Sequence, residues 1–274
     1  MMTAKPRGLA GDRIEPDEMP AVEVKVPMNR EVANATGAIA DDPLFEKSGN
    51  DPAAEISQTD QVSKRVRKKA EKLQRIKDAA LALFLTKGFD DATTREIAKI
   101  AGVALGTLFN YAENKRDLLF LICNDELEAT VVEAEQGIDP ALSFLDNVLS
   151  IAEYHFVHFA RRPEISRYAL REMYFYSAGK QVGRFKNSRD NLVTLFRRVV
   201  EANLDNGAIS SSDSAETVTS IIYALYQTEV RTYLGHVKPD PDAAKDRFAQ
   251  QIKILLKGLG PKDEAFVLKR HRQR

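Results

Sequence analysis

Apolar and polar positions recur with helical spacing over most of this chain. In "SKRVRKKAEKLQRIKDAALALFLTKGF", Ile76, Ala79, Ala80, Leu83 and Phe84 fall at i, i+3, i+4, i+7 and i+8, which predicts an amphipathic helix that Gly88 ends. Its basic N-terminal end should project past the core. In "TTREIAKIAGVALGTLFNYAENK", Thr93 followed three residues later by Glu96 is a capping box, so a short helix is expected from Thr94, with Ile97, Ala98 and Ala101 turned inward. Gly102 supplies a turn, and a second short helix is expected over roughly Leu105 to Tyr111. Asn114 with Asp117 caps a third that begins at Lys115. Neither short helix is stable alone. Two such helices joined by a tight glycine-containing turn and braced by longer ones predict a helix-turn-helix, which presents its second helix to a DNA major groove.

From Pro140 onward the pattern is one of long helices with short connections: "ALSFLDNVLSIAEYHFVHFARR", "PEISRYALREMYFYSAG", "GRFKNSRDNLVTLFRRVVEANLDNG", "SAETVTSIIYALYQTEVRTYLG" and "PDAAKDRFAQQIKILLKGLG". Pro163, Gly207 and the segment from Pro239 to Pro241 mark places where a helix cannot easily continue. No stretch alternates as a strand would, so the fold class is all-α.

Charge sharpens this division. Residues 1–62 carry six Lys and Arg against twelve Asp and Glu, residues 63–122 carry thirteen against seven, and the rest carry twenty-one of each. An acidic segment therefore precedes a basic module, as expected of a polyanion binder. Residues 1–62 show no sustained periodicity and are expected to be a disordered acidic extension. The basic run from Lys64 to Lys72 reads either as a solvated arm or as a phosphate contact. A single cysteine, Cys123, excludes an internal disulfide framework and reads as a packed hydrophobe. The longest uncharged apolar-rich run, Thr217 to Thr228, is shorter than the roughly 20 residues of a membrane span. With no secretory signal pattern at the N-terminus, a cytoplasmic location and no membrane partner are expected.

The constellation Ile76, Ala79, Ala80, Leu83, Phe84, Gly88, Phe89, Thr93, Thr94, Ile97, Ala98, Ala101, Gly102, Val103, Gly106, Thr107, Leu108, Phe109, Tyr111, Lys115, Leu118 and Leu119 resembles the N-terminal DNA-binding domain of the tetracycline-repressor (TetR) family of bacterial transcriptional regulators. The resemblance covers residues 72–122. It departs from the family at Ala104, where a Ser or Thr usually caps the recognition helix, and at Ala112, where an aromatic is usual; Phe109 stands where tyrosine is common. By resemblance, Thr94, Thr107, Tyr111 and Lys115 are expected phosphate contacts, which position the protein without reading sequence. The expected base readers are Ala104, Leu105 and Asn110, with Gly106 allowing close backbone approach; the Asn110 amide can pair bidentately with adenine. Asn110 also reads as a solvated polar residue, and Tyr111 as a core aromatic.

The resemblance implies that the second domain binds a small effector and dimerises through its last two long helices. Val218, Ile221, Ile222, Leu225, Tyr226, Phe248, Ile252, Leu255 and Leu256 are then dimer candidates, with the subunit's own core as their plain reading. Phe144, Val148, Ile151, His155, His158 and Phe159 share one stripe, which puts two histidines on an apolar face, and Glu172 shares a stripe with Ile165, Ala169 and Tyr176. Either these polar groups are satisfied within the core, or Phe144, Ile151, Tyr154, His155, His158, Glu172, Met173 and Tyr176 line an effector pocket. His155 and His158 could share an ion, but spacing specifies no further ligand, and no metal or other cofactor is expected.

No P-loop, dinucleotide-binding glycine pattern, HExxH or GxSxG motif occurs, and no histidine follows a glutamate by three residues, so no catalytic residue is expected. The expected organisation is a 1–62 extension, a 63–122 helix-turn-helix domain, a 123–260 helical effector-binding and dimerisation domain, and a 261–274 basic tail. The expected function is a homodimeric repressor of an inverted-repeat DNA operator, released by a small, lipophilic effector. The alternative is a DNA-binding architectural or partner-binding protein without effector control.

Overall fold

The computed structural model describes residues 52–258, with side chains from residue 64 onward. Among the described residues the chain forms nine helices and no strand: α1 (Pro52–Thr86), α2 (Thr94–Ile100), α3 (Leu105–Phe109), α4 (Lys115–Gln136), α5 (Phe144–Arg161), α6 (Pro163–Met173), α7 (Val182–Asp205), α8 (Ala215–Gly235) and α9 (Pro241–Lys257). Helix α1 starts at Pro52, inside the stretch expected to be unstructured; the remainder of that extension and the 261–274 tail lie outside the described residues.

Local chemistry sets most helix starts. Thr93 Oγ1 accepts from the Glu96 amide at 3.2 Å while Glu96 Oε2 accepts from the Thr93 amide at 3.1 Å, the expected capping box of α2. Asn114 begins α4 by accepting from the Asp117 amide, and Ser143, Ser214 and Asp240 do the same for α5, α8 and α9. Helix α3 has no such cap: Ala104 offers no side-chain oxygen. It also ends at Phe109, with Asn110 as C-cap, so Tyr111 lies beyond it. Gly102 turns the chain between α2 and α3 at φ 62°, a left-handed conformation that other residues adopt at a cost.

Two cores result. Ile76, Ala80, Phe84, Ile97, Leu108, Leu118 and Leu119 pack the helix-turn-helix unit, whereas Val148, Ile151, Phe156, Phe196, Ile222, Tyr233, Phe248 and Ile252 pack the second unit. Helix α4 contributes to both, Leu118, Leu119, Leu121, Ile122 and Cys123 to the first and Val131 and Ala134 to the second, while Phe120 packs with Tyr176 and Phe185. The boundary expected at residue 122 therefore falls inside one continuous helix. Ile165 of α6 is buried in the first core, so the second unit also closes the first.

Where they meet, Asp117 is fully buried. Its carboxylate accepts from the amides of Glu113 at 2.8 Å, Lys180 at 2.9 Å and Gln181 at 2.9 Å, and from the Tyr176 hydroxyl. Burial, reinforced by the adjacent carboxylate, raises the Tyr176 phenol above its ordinary range, so it stays a donor. Gly179 adopts φ 133°, and a Cβ there would lie 2.6 Å from Asp117 Oδ1, so the α6–α7 loop reaches the carboxylate only through a glycine. Exposed pairs add less: Arg171 forks onto Asp90 at 2.7 and 2.9 Å, but surface ion pairs contribute little. Replacing Asp117 by Ala strands several buried donors and is expected to cost about 3 kcal/mol or more in urea unfolding, against about 1 kcal/mol for Tyr176→Phe.

Candidate nucleic-acid interface and cavity

The helix-turn-helix unit leaves one face of α3 open. Ala104, Gly106 and Asn110 are exposed, Leu105 and Thr107 are half-buried, and Leu108 is buried behind them. The expected readers Ala104, Leu105 and Asn110 are thus accessible together, with Gly106 among them. Thr94 stands half-buried at the first position of α2, where backbone N–H groups point outward, as an anion contact requires.

Helix α1 borders this face. Arg65, Lys68, Lys69 and Lys72 fall at i, i+3, i+4 and i+7, one stripe of the helix, and with Thr107, Asn110 and Tyr111 they line a single groove. All four cations are exposed, and none pairs with an acid among the described residues, in contrast to Arg67, which faces Glu71. The Tyr111 hydroxyl donates to the Lys69 carbonyl at 3.4 Å, which ties the end of the recognition segment to the stripe. Lys115 donates to the Asp90 carbonyl at 2.6 Å and sits 4.8 Å from the Phe89 ring centroid. An ammonium has three donors, so this anchorage leaves others for a phosphate.

The second unit holds an apolar cavity of about 90 Å³ that opens to solvent. Helices α4 to α8 wall it, with Phe120, Leu127, Phe159, Leu170, Leu192 and Val230 among the apolar lining and His155, Ser188, Tyr223, Tyr226 and Gln227 among the polar. Met173, Tyr174, Phe185 and Ser188 flank the α6–α7 loop, and that loop also grips the recognition segment: Lys180 Nζ donates to the Phe109 carbonyl, and Gln181 Nε2 to that of Tyr111 at 3.1 Å. One segment thus touches both the cavity and the end of α3.

Of the pocket residues expected from sequence, the cavity collects His155 and Met173. The others lie elsewhere. Phe144 and Ile151 are buried in the second core, and Tyr154 packs against Gly137. His158 lines a smaller neighbouring cavity with Cys123 and Glu126. Glu172 pairs with Arg116 at 2.7 Å, and Tyr176 stacks on Phe120 beneath Asp117. The helical stripe identified an inward face but not which side of the core was left unfilled. Among the dimer candidates, Ile222, Tyr226, Phe248 and Ile252 are buried within one chain and belong to its own core, Tyr226 also lining the cavity. Val218, Leu225 and Leu255 are half-buried, and Ile221 and Leu256 remain exposed, as does Ile254, which the sequence reading did not single out. That reading also missed Lys180, Gln181 and Ser188; Ser188 shares a stripe with Phe185 and Leu192, the same signal that marked His155. Among the described residues no group of three or more His, Cys, Asp or Glu side chains could hold a metal ion, and no helix is long and apolar enough to cross a membrane.

An open readout helix beside a basic stripe defines a helix-turn-helix DNA-binding protein. Residues 76–122 match the profile of "Bacterial regulatory proteins, tetR family". A Bacillus subtilis (strain 168) protein named "Uncharacterized HTH-type transcriptional regulator YhgD" is 24% identical over 195 residues, 67% of this chain and 94% of that protein. The "Fatty acid metabolism regulator protein" of the same organism is 28% identical over 91 residues, 33% of this chain and 47% of its own length. The crystal structure of the transcriptional regulator FadR from Bacillus subtilis in complex with stearoyl-CoA shares the fold, with a TM-score of 0.55 at 19% identity, covering 68% of this chain and 98% of that one.

His155 and His158 are buried, and burial pushes each imidazole down to about 4 from an ordinary 6.5. The unfolded chain therefore takes up protons that the folded chain refuses, so stability is lost as pH falls from the ordinary value toward the depressed one. Between about pH 7 and about pH 5 the loss is expected to be on the order of 1–2 kcal/mol for each histidine. Urea unfolding across that range checks it, with a shallower slope expected for His155→Phe.

Proposed function

We propose that the protein is a repressor that binds an inverted-repeat operator as a homodimer and leaves it when a lipophilic small molecule fills the α4–α8 cavity. The observation that carries the DNA half of this reading is the shared groove, in which the exposed Asn110 and half-buried Thr107 of the recognition segment face four cations of one α1 stripe that pair with no acid among the described residues. Asn110, Leu105 and Ala104 read bases, while Thr94, Thr107, Tyr111 and Lys115 hold phosphates. Dimerisation uses the apolar residues left outside the core on α8 and α9, Ile221, Ile254 and Leu256, with Val218, Leu225 and Leu255 at their edge. A two-fold dimer requires a palindromic site.

The apolar cavity supports the effector half. The Bacillus subtilis neighbour carries a long acyl thioester, and an elongated apolar ligand suits the lining here. Binding against Met173, Tyr174 and Phe185 biases the α6–α7 loop, and through Lys180 and Gln181 the end of α3. Release requires only that the effector favour the conformation in which the two recognition helices no longer fit one DNA face.

Selection of bound sequences from a random duplex library tests the reading. An inverted repeat is expected, with the consensus relaxed at one symmetric position for Asn110→Ala; enrichment of no motif would put the architectural alternative in its place. The basic stripe has its own signature. Changing Arg65, Lys68, Lys69 and Lys72 to Gln is expected to leave the consensus intact while lowering the slope of log affinity against log salt by about 3 to 4 per subunit, read by fluorescence anisotropy.

A further inference from the structure

The cavity is lined by a hydroxyl that finds no bond among the described residues. Ser188 is 5% exposed, and none of them offers its Oγ a hydrogen-bond partner. Serine and threonine inside helices commonly return their hydroxyl to the carbonyl four residues back. In this protein Thr130, Ser166, Thr194, Thr219, Thr228 and Thr232 all do so. Ser188 does not, although Arg184 lies four residues before it. Buried orphan hydroxyls are uncommon and destabilising, and alanine would fill the same place between Phe185 and Leu192 without that cost.

Across the cavity, on α5, His155 is 2% exposed and its Nδ1 lies 3.2 Å from the Ile151 carbonyl. A carbonyl only accepts, so Nδ1 carries the ring proton, and in the neutral ring that burial enforces Nε2 is an acceptor. Tyr223, Tyr226 and Gln227 add polar atoms on the α8 wall, and the one charged lining side chain is Arg189, exposed and bonded to Asp190 at 2.9 Å. The interior thus presents hydrogen-bonding groups without a buried counter-charge, and a carboxylate there would meet the lone pair of Nε2.

We infer that the effector is a lipophilic molecule whose buried end carries an uncharged hydroxyl, recognised by Ser188 and His155. A hydroxyl both donates and accepts, so it can give its proton to His155 Nε2 or exchange a hydrogen bond with Ser188 Oγ. The apolar body fills the space between Phe120, Leu127, Phe159 and Val230. This assignment rests on the cavity being the effector site and adds the chemical class of what enters it.

Displacement of the neutral dye Nile red from the full chain by 1-dodecanol and by dodecanoic acid tests the inference, using the parent, Ser188→Ala and Arg189→Gln proteins. The alcohol is expected to compete better than the acid. Ser188→Ala is expected to weaken the alcohol by about three- to tenfold, the worth of one hydrogen bond, with the acid unaffected. The same variant should unfold at a higher temperature when ligand-free, because the orphan hydroxyl is gone; a merely structural serine would move that temperature the other way. Tighter binding of the acid, lost in Arg189→Gln, would place a charged head at the mouth and overturn the inference while leaving the cavity reading intact. Unchanged alcohol affinity in Ser188→Ala would also overturn it. Failure of the dye to bind would remove the cavity reading itself, and the inference with it.

Discussion

The buried carboxylate of Asp117 ties the two cores of this molecule to the α6–α7 loop. Asp117 stands in the first turn of α4, where the backbone N–H groups favour negative charge, and it gathers donors from the turn before α4 and from the loop between α6 and α7. A carboxylate removed from water is destabilising unless its lone pairs are taken up, so its position requires the loop to come to it. That requirement accounts for the left-handed Gly179, for the Tyr176 ring stacked 4.2 Å from Phe120, and for the placing of Lys180 and Gln181 against the recognition segment.

The readout face and the cavity obey different rules. Around α3 polar and small side chains stay exposed to solvent, whereas in the cavity Ser188 is buried and lacks a partner among the described residues. Ser188 and Asn110 are thus comparable, each a hydrogen-bonding group that the fold positions without satisfying. Such groups are costs in a stability account and assets in a binding one.

The helix-turn-helix unit was legible in the sequence almost residue by residue. Its signals are local: Thr93 with Glu96, Gly102, and Asn114 with Asp117 each act within one turn of chain. Even the weak start of α3 followed from Ala104 alone. The second unit was legible as helices but not as a site. The stripe through Phe144, Ile151, His155 and His158 does face inward, yet Phe144 and Ile151 pack into the filled core and His158 meets a different, smaller cavity, because which side of a helix meets a void depends on the volumes of residues on other helices. Four of the dimer candidates lie in the subunit's own core for a related reason: a 3.6-residue period does not distinguish such a core from a surface between subunits, so Ile222, Tyr226, Phe248 and Ile252 were grouped with Ile221 and Leu256. Asp117 was recognised as a cap residue, but its partners near residue 180 are remote in sequence and no spacing rule reaches them.

The continuity of α4 bears on how such a protein can be recombined. One half of that helix is built into each core, and Ile165, 43 residues beyond Ile122, closes the first core from within the second unit. The DNA-reading head is therefore not a cassette. A chimera joined at residue 122 would cut a helix between its two sets of contacts and leave the head without Ile165 and the carboxylate without its loop. On the proposed reading, exchange of operator specificity is confined to grafts on the outer surface of α3, where Ala104 and Asn110 are exposed and can change while the packing beneath them need not.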